Sequence, residues 1–483
     1  MAQACLDTAL GIDLGTTSVK VSLVDLHSRN VLYVTSRATA ARVVGVEDPP
    51  KADEQDVRKI IGTVAACLVS LRELWIANSI SHKIRRIGVT GQMHGVVLWK
   101  AGLRIDDFLS PSDSESDNAS ASSSGGVGVS HLFTWQDGRC STEFLASLPP
   151  PDSHLKLSTG HGCATLFWLQ RHRPEVLREF DCAGTVMDLF VTLLCDLNSP
   201  VMSVQNAASW GYFSCTKGSW NIDILAEAGF PTQLLPAVKT PGTVAGKTKE
   251  TKCFGGVLPE GLAVGVGLGD LPCNMIPILE SSDCGALSIS TSAQVVTTTP
   301  PSFTPPPSDP TSPVEYFPYF GGTYLAVAAA LTGGNVLAWL VETIQRWLQS
   351  TGLGVSAEKD KLFERLIELG LQCRDTSLEI SPILGGERHQ PDRRGTAANI
   401  CHDNVSLGSV FRATCRGVAR NLSEMASPDT MREKGVVRMV GCGSALLRNA
   451  VLKEEVEAAF EGLSFVYSDR GDASIGAALA ELD

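Results

Sequence analysis

No two of the 14 cysteines stand at CxxC spacing, so a zinc ribbon or a thioredoxin-type dithiol is excluded. A chain of 483 residues has no need of disulfide staples, and the scattered thiols read as reduced, small apolar residues. Positive charge is in deficit. Lys and Arg total 40 against 52 Asp and Glu, a net −12, which does not advertise nucleic-acid or anionic-membrane binding. No run of 18 uncharged apolar residues occurs, so no membrane span is expected. The first ten residues lack a basic cluster ahead of an apolar run, so no signal peptide is expected and the cytoplasmic compartment is the default. Gly (45) and Pro (25) follow no short period, which excludes a collagen-like chain.

With 43% hydrophobic and 19% charged residues, the chain can bury a sizeable core, and its length suits about two to four domains. Two segments interrupt the globular texture. Residues 110–128, SPSDSESDNASASSSGGVG, read as a flexible surface insertion, and PPSFTPPPSDPTSP (300–313) as an extended loop. Elsewhere the pattern alternates between the two periods. Leu10–Leu14, Val19–Asp25 and Val31–Ser36 predict strands around a Gly15-Thr16-Thr17 turn, Asp53–Ile76 a helix and Ile84–Thr90 a strand. In the second half, residues 285–297 predict strand, Ser/Thr turn and strand, followed by a strand at Tyr324–Leu331 and a helix from Thr332 to Trp347. Val436–Val440 then predicts a strand and Leu446–Phe460 a helix. The repeated strand–turn–strand opening suggests two related α/β domains with a cleft between them. GLAVGVGLGD (261–270) reads as the hinge strand.

Several turns carry chemistry. In GIDLGTTS (11–18), a glycine turn offers N–H groups and the hydroxyls of Thr16 and Thr17 to phosphate, and Asp13 at the strand end suits Mg²⁺. SISTSA (288–293), with Thr291, offers a second hydroxyl-bearing turn. Paired across a domain interface, the two would clamp a polyphosphate. Gly441-Cys442-Gly443-Ser444 leads into a helix whose N-terminus could meet a nucleotide. GLGD places Asp270 at a strand end, where a hydroxyl substrate undergoing phosphoryl transfer needs a base. Gln92, Met93 and His94, with Trp135, Gln136, Asp137 and Arg139, supply the donors, acceptors and aromatic face of a sugar site. GTVAGKT (242–248) has three residues between its glycines where a Walker A loop needs four, so it is set aside, and RHQPDRR (388–394) reads as a solvated loop.

Together, GIDLGTTSVK, GVTGQMHGVVLW, TWQDGRC, PGTVAGKT, GLGD, SISTSA, PILGGER, VGCGSALLRN and ASIGAALA resemble, in order, the motifs of the FGGY carbohydrate kinases. The resemblance implies two ribonuclease H-like, actin-like ATPase domains with an interdomain active-site cleft. The first spans 1–275 and binds sugar and phosphate; the second, 276–483, binds nucleotide. It implies ATP and Mg²⁺ as cofactors and a sugar as the partner molecule. Asp270 would be the general base and Asp13 would position the metal. Thr16, Thr17, Thr291, Gly334, Gly441, Gly443 and Ser444 would border ATP, and Gln92, Met93, His94, Trp135 and Asp137 the sugar. Three segments, TGHGCATLFWL, QNAASWGYF and GDLPCNM, resemble the branch that phosphorylates a seven-carbon ketose. A kinase for another ketose such as xylulose or ribulose, a non-catalytic actin-like ATP-binding sugar sensor, and an Hsp70- or actin-like ATPase acting without a sugar are the alternatives. Many members carry Asn or Gln after the aspartate where Leu271-Pro272 stands here, Lys where Thr165 stands, and Glu where Arg416 stands. The sugar-binding amide that follows the aspartate in those members is then either missing here or supplied by Asn274, and Asn449 would border the adenosine.

Overall fold

The computed structural model describes residues 6–45, 49, 51–78, 82–109, 128–352 and 358–482. The insertion expected at 110–128 therefore lies outside the described residues, Gly128 apart.

A first sheet contains β1 (Leu6–Leu14), β2 (Ser18–Asp25), β3 (Val31–Ala38), β4 (His82–Gly91), β5 (Val244–Lys247), β6 (Ala263–Gly265) and β7 (Leu268–Gly269). A second contains β8 (Cys284–Ile289), β9 (Ala293–Thr298), β10 (Val314–Pro318), β11 (Tyr324–Ala330), β12 (Arg438–Cys442) and β13 (Ser464–Tyr467). The first is ordered β5-β6-β4-β1-β2-β3, with β7 also on β4; the second is ordered β10-β11-β9-β8-β12-β13. In both, a three-stranded antiparallel meander places its first strand beside two parallel strands. The internal duplication is thus a shared ribonuclease H-like topology, repeated with an extra antiparallel strand at one edge of each sheet.

Helix α1 (Val57–Asn78) covers the first sheet with Val57, Ile60, Ile61, Val64, Cys67, Leu68 and Leu71 buried. Each large apolar side chain taken from water there contributes about 1.5–3 kcal/mol. By length and apolarity this helix could cross a bilayer, yet that face lies in the core. It starts four residues after the expected Asp53. Glu54–Gln55 pair as a short strand with Leu132–Phe133, and Asp56 accepts the Arg58 N–H at 2.9 Å to open the helix. Helices α2 (Gly162–His172), α3 (Val186–Cys195) and α4 (Val204–Trp210) follow in the first half.

The expected strand at 261–270 is two short strands of the first sheet, after which α5 (Asp270–Met275) begins. GTVAGKT contains edge strand β5. The second sheet is covered by α6 (Gly334–Ser350), α7 (Lys359–Gln372) and α8 (Leu407–Met425). The helix expected at 446–460 is two, α9 (Ser444–Arg448) and α10 (Ala450–Ala459), because Asn449 leaves helical geometry and caps α10 through Leu452 N–H at 3.1 Å. Residues 300–313 form neither helix nor strand.

Helix α11 (Ala473–Leu479) crosses back to the first sheet. It approaches so closely that a Cβ on Gly11 would lie 1.8 Å from Ser474 O, one on Gly88 1.9 Å from Ala477 O, and one on Gly476 1.8 Å from Cys273 O. The expected division at 275/276 assigns this helix to the second half, whereas it packs on the first. Helix α5 joins the two sheets: Cys273 packs with Ala477 and Ala480, and Met275 with Ile278, Cys284 and Val440. A second bridge lies at the rim, where His154 Nε2 meets Tyr316 O at 2.7 Å.

The 13 described cysteines are all free, as expected for reduced thiols. No cluster of metal-ligating side chains occurs among the described residues.

Candidate active site

The site grows from the carboxyl ends of parallel strands, where backbone N–H groups and following turns are exposed to a ligand. Asp13 in β1 is level with Thr90 in β4, and Thr90 with Leu268 in β7. At strand spacings of about 4.8 Å, this sets Asp13 and Asp270 at the ends of the strands on either side of β4. Asp270 opens α5, its Oδ1 accepting the Leu271 N–H at 2.7 Å. Burial pushes its pKa up to about 6. Burial, reinforced by the charges of Asp270 and Asp472, pushes Asp13 to about 7, with Lys20 opposing. Asp13 Oδ1 is buried with no hydrogen-bond partner, so this carboxylate has an unused oxygen that fits a hard cation.

Around Asp13, Lys20 pairs with Asp472 at 2.7 Å, and Asp472 caps α11 through Ser474 N–H (2.9 Å) and Ile475 N–H (3.3 Å). The β1–β2 turn holds Thr16 and Thr17. Gln55 donates to Thr16 O at 2.8 Å, Gln92 Nε2 donates to Gln55 Oε1 at 2.9 Å, and Trp135 Nε1 donates to Thr16 Oγ1 at 3.1 Å. The β1–β2 turn and the segments carrying Gln92 and Trp135 are therefore one connected network. Trp135 is 45% exposed and presents a ring to solvent.

Met93 is buried, its sulfur where a Cβ on Gly269 would fall (2.6 Å). His94 takes a left-handed backbone (φ 75°), meets Ser209 O through Nδ1 at 3.0 Å and stacks on His161. Gln205 Oε1 accepts the Gly269 N–H at 3.1 Å, and Asn206 donates to Gly267 O at 3.0 Å. Helix α4 thus fixes the strand that delivers Asp270. Gln92 Oε1, Gln205 Nε2 and Asn206 Oδ1 are buried without protein partners.

Asp137 does not border the cleft as expected. It has 0% exposure; Arg139 takes both oxygens, at 2.7 and 2.8 Å, and the Asp53 N–H also binds Oδ2. It sits beneath the WQDGR turn. Burial pushes Glu54 upward, but His131 and Arg139 hold it below the usual carboxylate range, completing that buried ion cluster.

The second group gathers at the end of β8. Ser290 O accepts Gly334 N–H at 2.8 Å, Thr291 O accepts Asn335 N–H at 3.0 Å, and Ser290 Oγ accepts Ser444 N–H at 3.3 Å. Thr291 is exposed. A Cβ on Gly334 would lie 2.3 Å from Ser290 O and one on Gly443 (φ 90°) 2.4 Å from Ile289 O, so both glycines are required sterically. Gly441 is packed under the Tyr467 ring. Glu387 holds the adjoining loop: its carboxylate accepts Leu331 N–H (2.6 Å), Thr332 N–H (3.2 Å) and Asn421 Nδ2 (3.0 Å). Asn449 is fully buried, capping α10 and meeting Cys415 Sγ through Nδ2 at 3.6 Å. Asn274 lies against Gly471. Thr165 is buried in α2, and Arg416 pairs with Glu455 at 2.9 Å.

Sequence reasoning missed Lys20, Gln55, Gln205, Asn206, His161, Glu387 and Asp472. QNAASW, TGHG and GER were visible as segments, but nothing local says which strand or turn they brace. Two surface depressions, of about 580 and 330 Å³, are lined by none of the site residues.

A family model described as "FGGY family of carbohydrate kinases, N-terminal domain" matches residues 8–113 and 132–276. The chain belongs to the FGGY family of carbohydrate kinases. It is therefore a carbohydrate kinase, and such kinases use ATP. It is 44% identical over 488 residues to the sedoheptulokinase of Homo sapiens, covering 98% of this chain and 97% of that protein. It is also 44% identical over 479 residues to that of Mus musculus, with the same coverage. The xylulose kinase of Klebsiella pneumoniae is 24% identical, over 59% of this chain and 53% of its own. Among solved structures, the xylulose kinase of Rhodospirillum rubrum superposes with a TM-score of 0.77 at 20% identity, covering 98% of this chain and 89% of that one. Plasmodium falciparum glycerol kinase with ADP also gives 0.77, at 16% identity, covering 99% and 89%. These last two likenesses establish the fold: two actin-like ATPase domains.

Proposed function

We propose that this kinase transfers the γ-phosphoryl group of ATP to the terminal 7-hydroxyl of sedoheptulose, giving sedoheptulose 7-phosphate and ADP. The observation that carries the reading is the 44% identity to two sedoheptulokinases along 98% of the chain. In this proposal Asp270 accepts the proton of the sugar hydroxyl as the bond to phosphorus forms. A carboxylate raised to about 6 is still mostly ionised at neutral pH, yet basic enough to help. Asp13, with its unused buried oxygen, would hold Mg²⁺, which supplies charge neutralisation to the phosphates when bound. Thr16 and Thr17 would bind phosphate from one side and Thr291 from the other, with Gly334, Gly441, Gly443 and Ser444 along the nucleotide. Gln92, Met93, His94 and Trp135 would line the sugar; Asp137 would shape the turn that presents Trp135. Positioning and fixed dipoles would supply most of the acceleration. Approach of the two domains would exclude water, so that ATP is not wasted.

The boundary near 275 marks where sugar-binding and nucleotide-binding portions meet, with α11 returning to the first. The proposal places the enzyme in the cytoplasm, its product entering the pentose phosphate pathway. ADP release measured with sedoheptulose, xylulose and ribulose at saturating ATP tests it. The expected result is the highest kcat/KM for sedoheptulose. Faster turnover of a five-carbon ketose would replace the substrate, and turnover independent of any sugar would remove the kinase reading.

A further inference from the structure

We propose that His161 is a specificity-determining residue of the sugar site, forming with His94 a fixed donor–acceptor pair that reads two adjacent hydroxyls of the ketose. The inference rests on the ketose-kinase reading and adds to it a residue and a polarity of recognition.

The two imidazoles lie parallel, 6° apart, with centroids separated by 4.7 Å. Their backbone partners fix opposite tautomers. Ser209 O can only accept, so His94 Nδ1 donates at 3.0 Å and its Nε2 carries a lone pair. Ser158 N–H can only donate, so His161 Nδ1 accepts at 3.4 Å and the ring proton sits on Nε2. Burial pushes both rings toward the neutral form. The neighbouring His94 adds to this for His161, and the Arg388 charge does so for His94.

The loop that carries His161 has little freedom. A Cβ on Gly160 would lie 2.2 Å from Trp135 O, and one on Gly162 would fall 2.1 Å from the Trp210 ring. Trp210 Nε1 in turn donates to Gly95 O at 2.9 Å. His161 is therefore clamped between the Trp135 turn and the Met93-His94-Gly95 turn, although both imidazoles keep part of their surface accessible. A vicinal diol has two oxygens about 3 Å apart, each able to give and take one hydrogen bond. One hydroxyl donates to His94 Nε2 and its neighbour accepts from His161 Nε2–H. A methylene, or a hydroxyl of inverted configuration, leaves one partner unpaired in a desolvated site, which is how such a pair discriminates.

The test uses the full chain. His161→Phe keeps a stacking ring and removes the Nε2–H. It should raise the ketose KM about tenfold, leave the ATP KM within about twofold, and change kcat little, the split expected when ground-state binding is lost. An unchanged ketose KM, or an equal loss toward ATP, overturns the proposal. ¹⁵N NMR of the wild-type imidazoles is an independent readout that survives if the variant fails to fold. His161 should be protonated on Nε2 alone and His94 on Nδ1 alone; the reverse tautomers, or a charged ring at neutral pH, overturn the pair. Absence of wild-type turnover with every ketose would sink the functional reading, whereas the tautomer spectrum reports on the pair whether or not turnover occurs.

Discussion

Asp270, half-buried at a strand end, and Asp188, fully buried, are two carboxylates with different surroundings. Asp270 is placed by β7 and α5 at the strand ends and raised to about 6 by burial. Asp270→Asn should lower kcat by about 10²–10⁴-fold, measured by ADP release, while the Kd for ATP stays near the wild-type value. If Asp270 is the proposed base, only its ionised form works, so wild-type kcat/KM should fall as pH drops through about 6. Asp188 is the third residue of the α3 capping box. Its Oδ2 accepts from Thr185 N and Oγ1 (both 2.8 Å), but its Oδ1 is buried without a partner, and burial raises it to about 7. Its folded pKa exceeds the unfolded value near 3.8, so the folded state holds a proton that the unfolded state releases. Its contribution to stability is full below about pH 4 and is lost as pH rises through about 7. Asp188→Asn removes that slope. The difference in denaturant midpoint between variant and wild type should grow in the variant's favour from pH 4 to pH 7; a constant difference would show that Asp188 is ionised in the folded protein.

At the scale of elements, helix α11 and the loop before α6 carry the clearest tests. Gly476 has no room for a side chain, with Cys273 O 1.8 Å from the site of a Cβ. Gly476→Ala should cost about 1–3 kcal/mol in chemical denaturation and disturb α5, which carries Asp270. Glu387 accepts three donors at the loop preceding α6. Glu387→Gln replaces a carboxylate oxygen by an N–H group facing another donor, so the ATP KM should rise about tenfold with the ketose KM unchanged. A selective change in the ketose KM would contradict the nucleotide-side placement of this loop. The Gly15-Thr16-Thr17 and Ser290–Ser292 turns were legible because glycine and short hydroxyl residues between alternating apolar runs have few other uses. The start of α1 was misplaced because Asp53 and Asp56 are equally good caps by type. Only the pairing of Glu54–Gln55 with Leu132–Phe133, remote in sequence, decides between them. Glu387 and Asp472 were illegible as site residues for the same reason: their partners, Leu331 and Lys20, lie 56 and 452 positions away.

For the whole molecule, the two sheets repeat one topology, and the chain's last helix returns to the first of them. The duplicated strand–turn–strand pattern made the architecture readable. The return of α11 was not readable, because its Ala- and Gly-rich face has no apolar stripe pointing to a particular partner. Asp137 shows the opposite failure: a polar residue in a sugar-binding segment was read as a contact, while Arg139, two residues on, neutralises it beneath the turn. The proposed arrangement sets Asp270, at the junction of the two sheets, as the base for a ketose alcohol, with the two hydroxyl-bearing turns as the phosphate grips. Its most direct test is the position of the phosphate after reaction of the enzyme with ATP, Mg²⁺ and sedoheptulose, read by ³¹P–¹H correlation NMR. A single new phosphate ester coupled to the C7 methylene protons, formed one-for-one with ADP, is the expected result. A phosphate at another carbon, or ADP formed without any sugar ester, would contradict it.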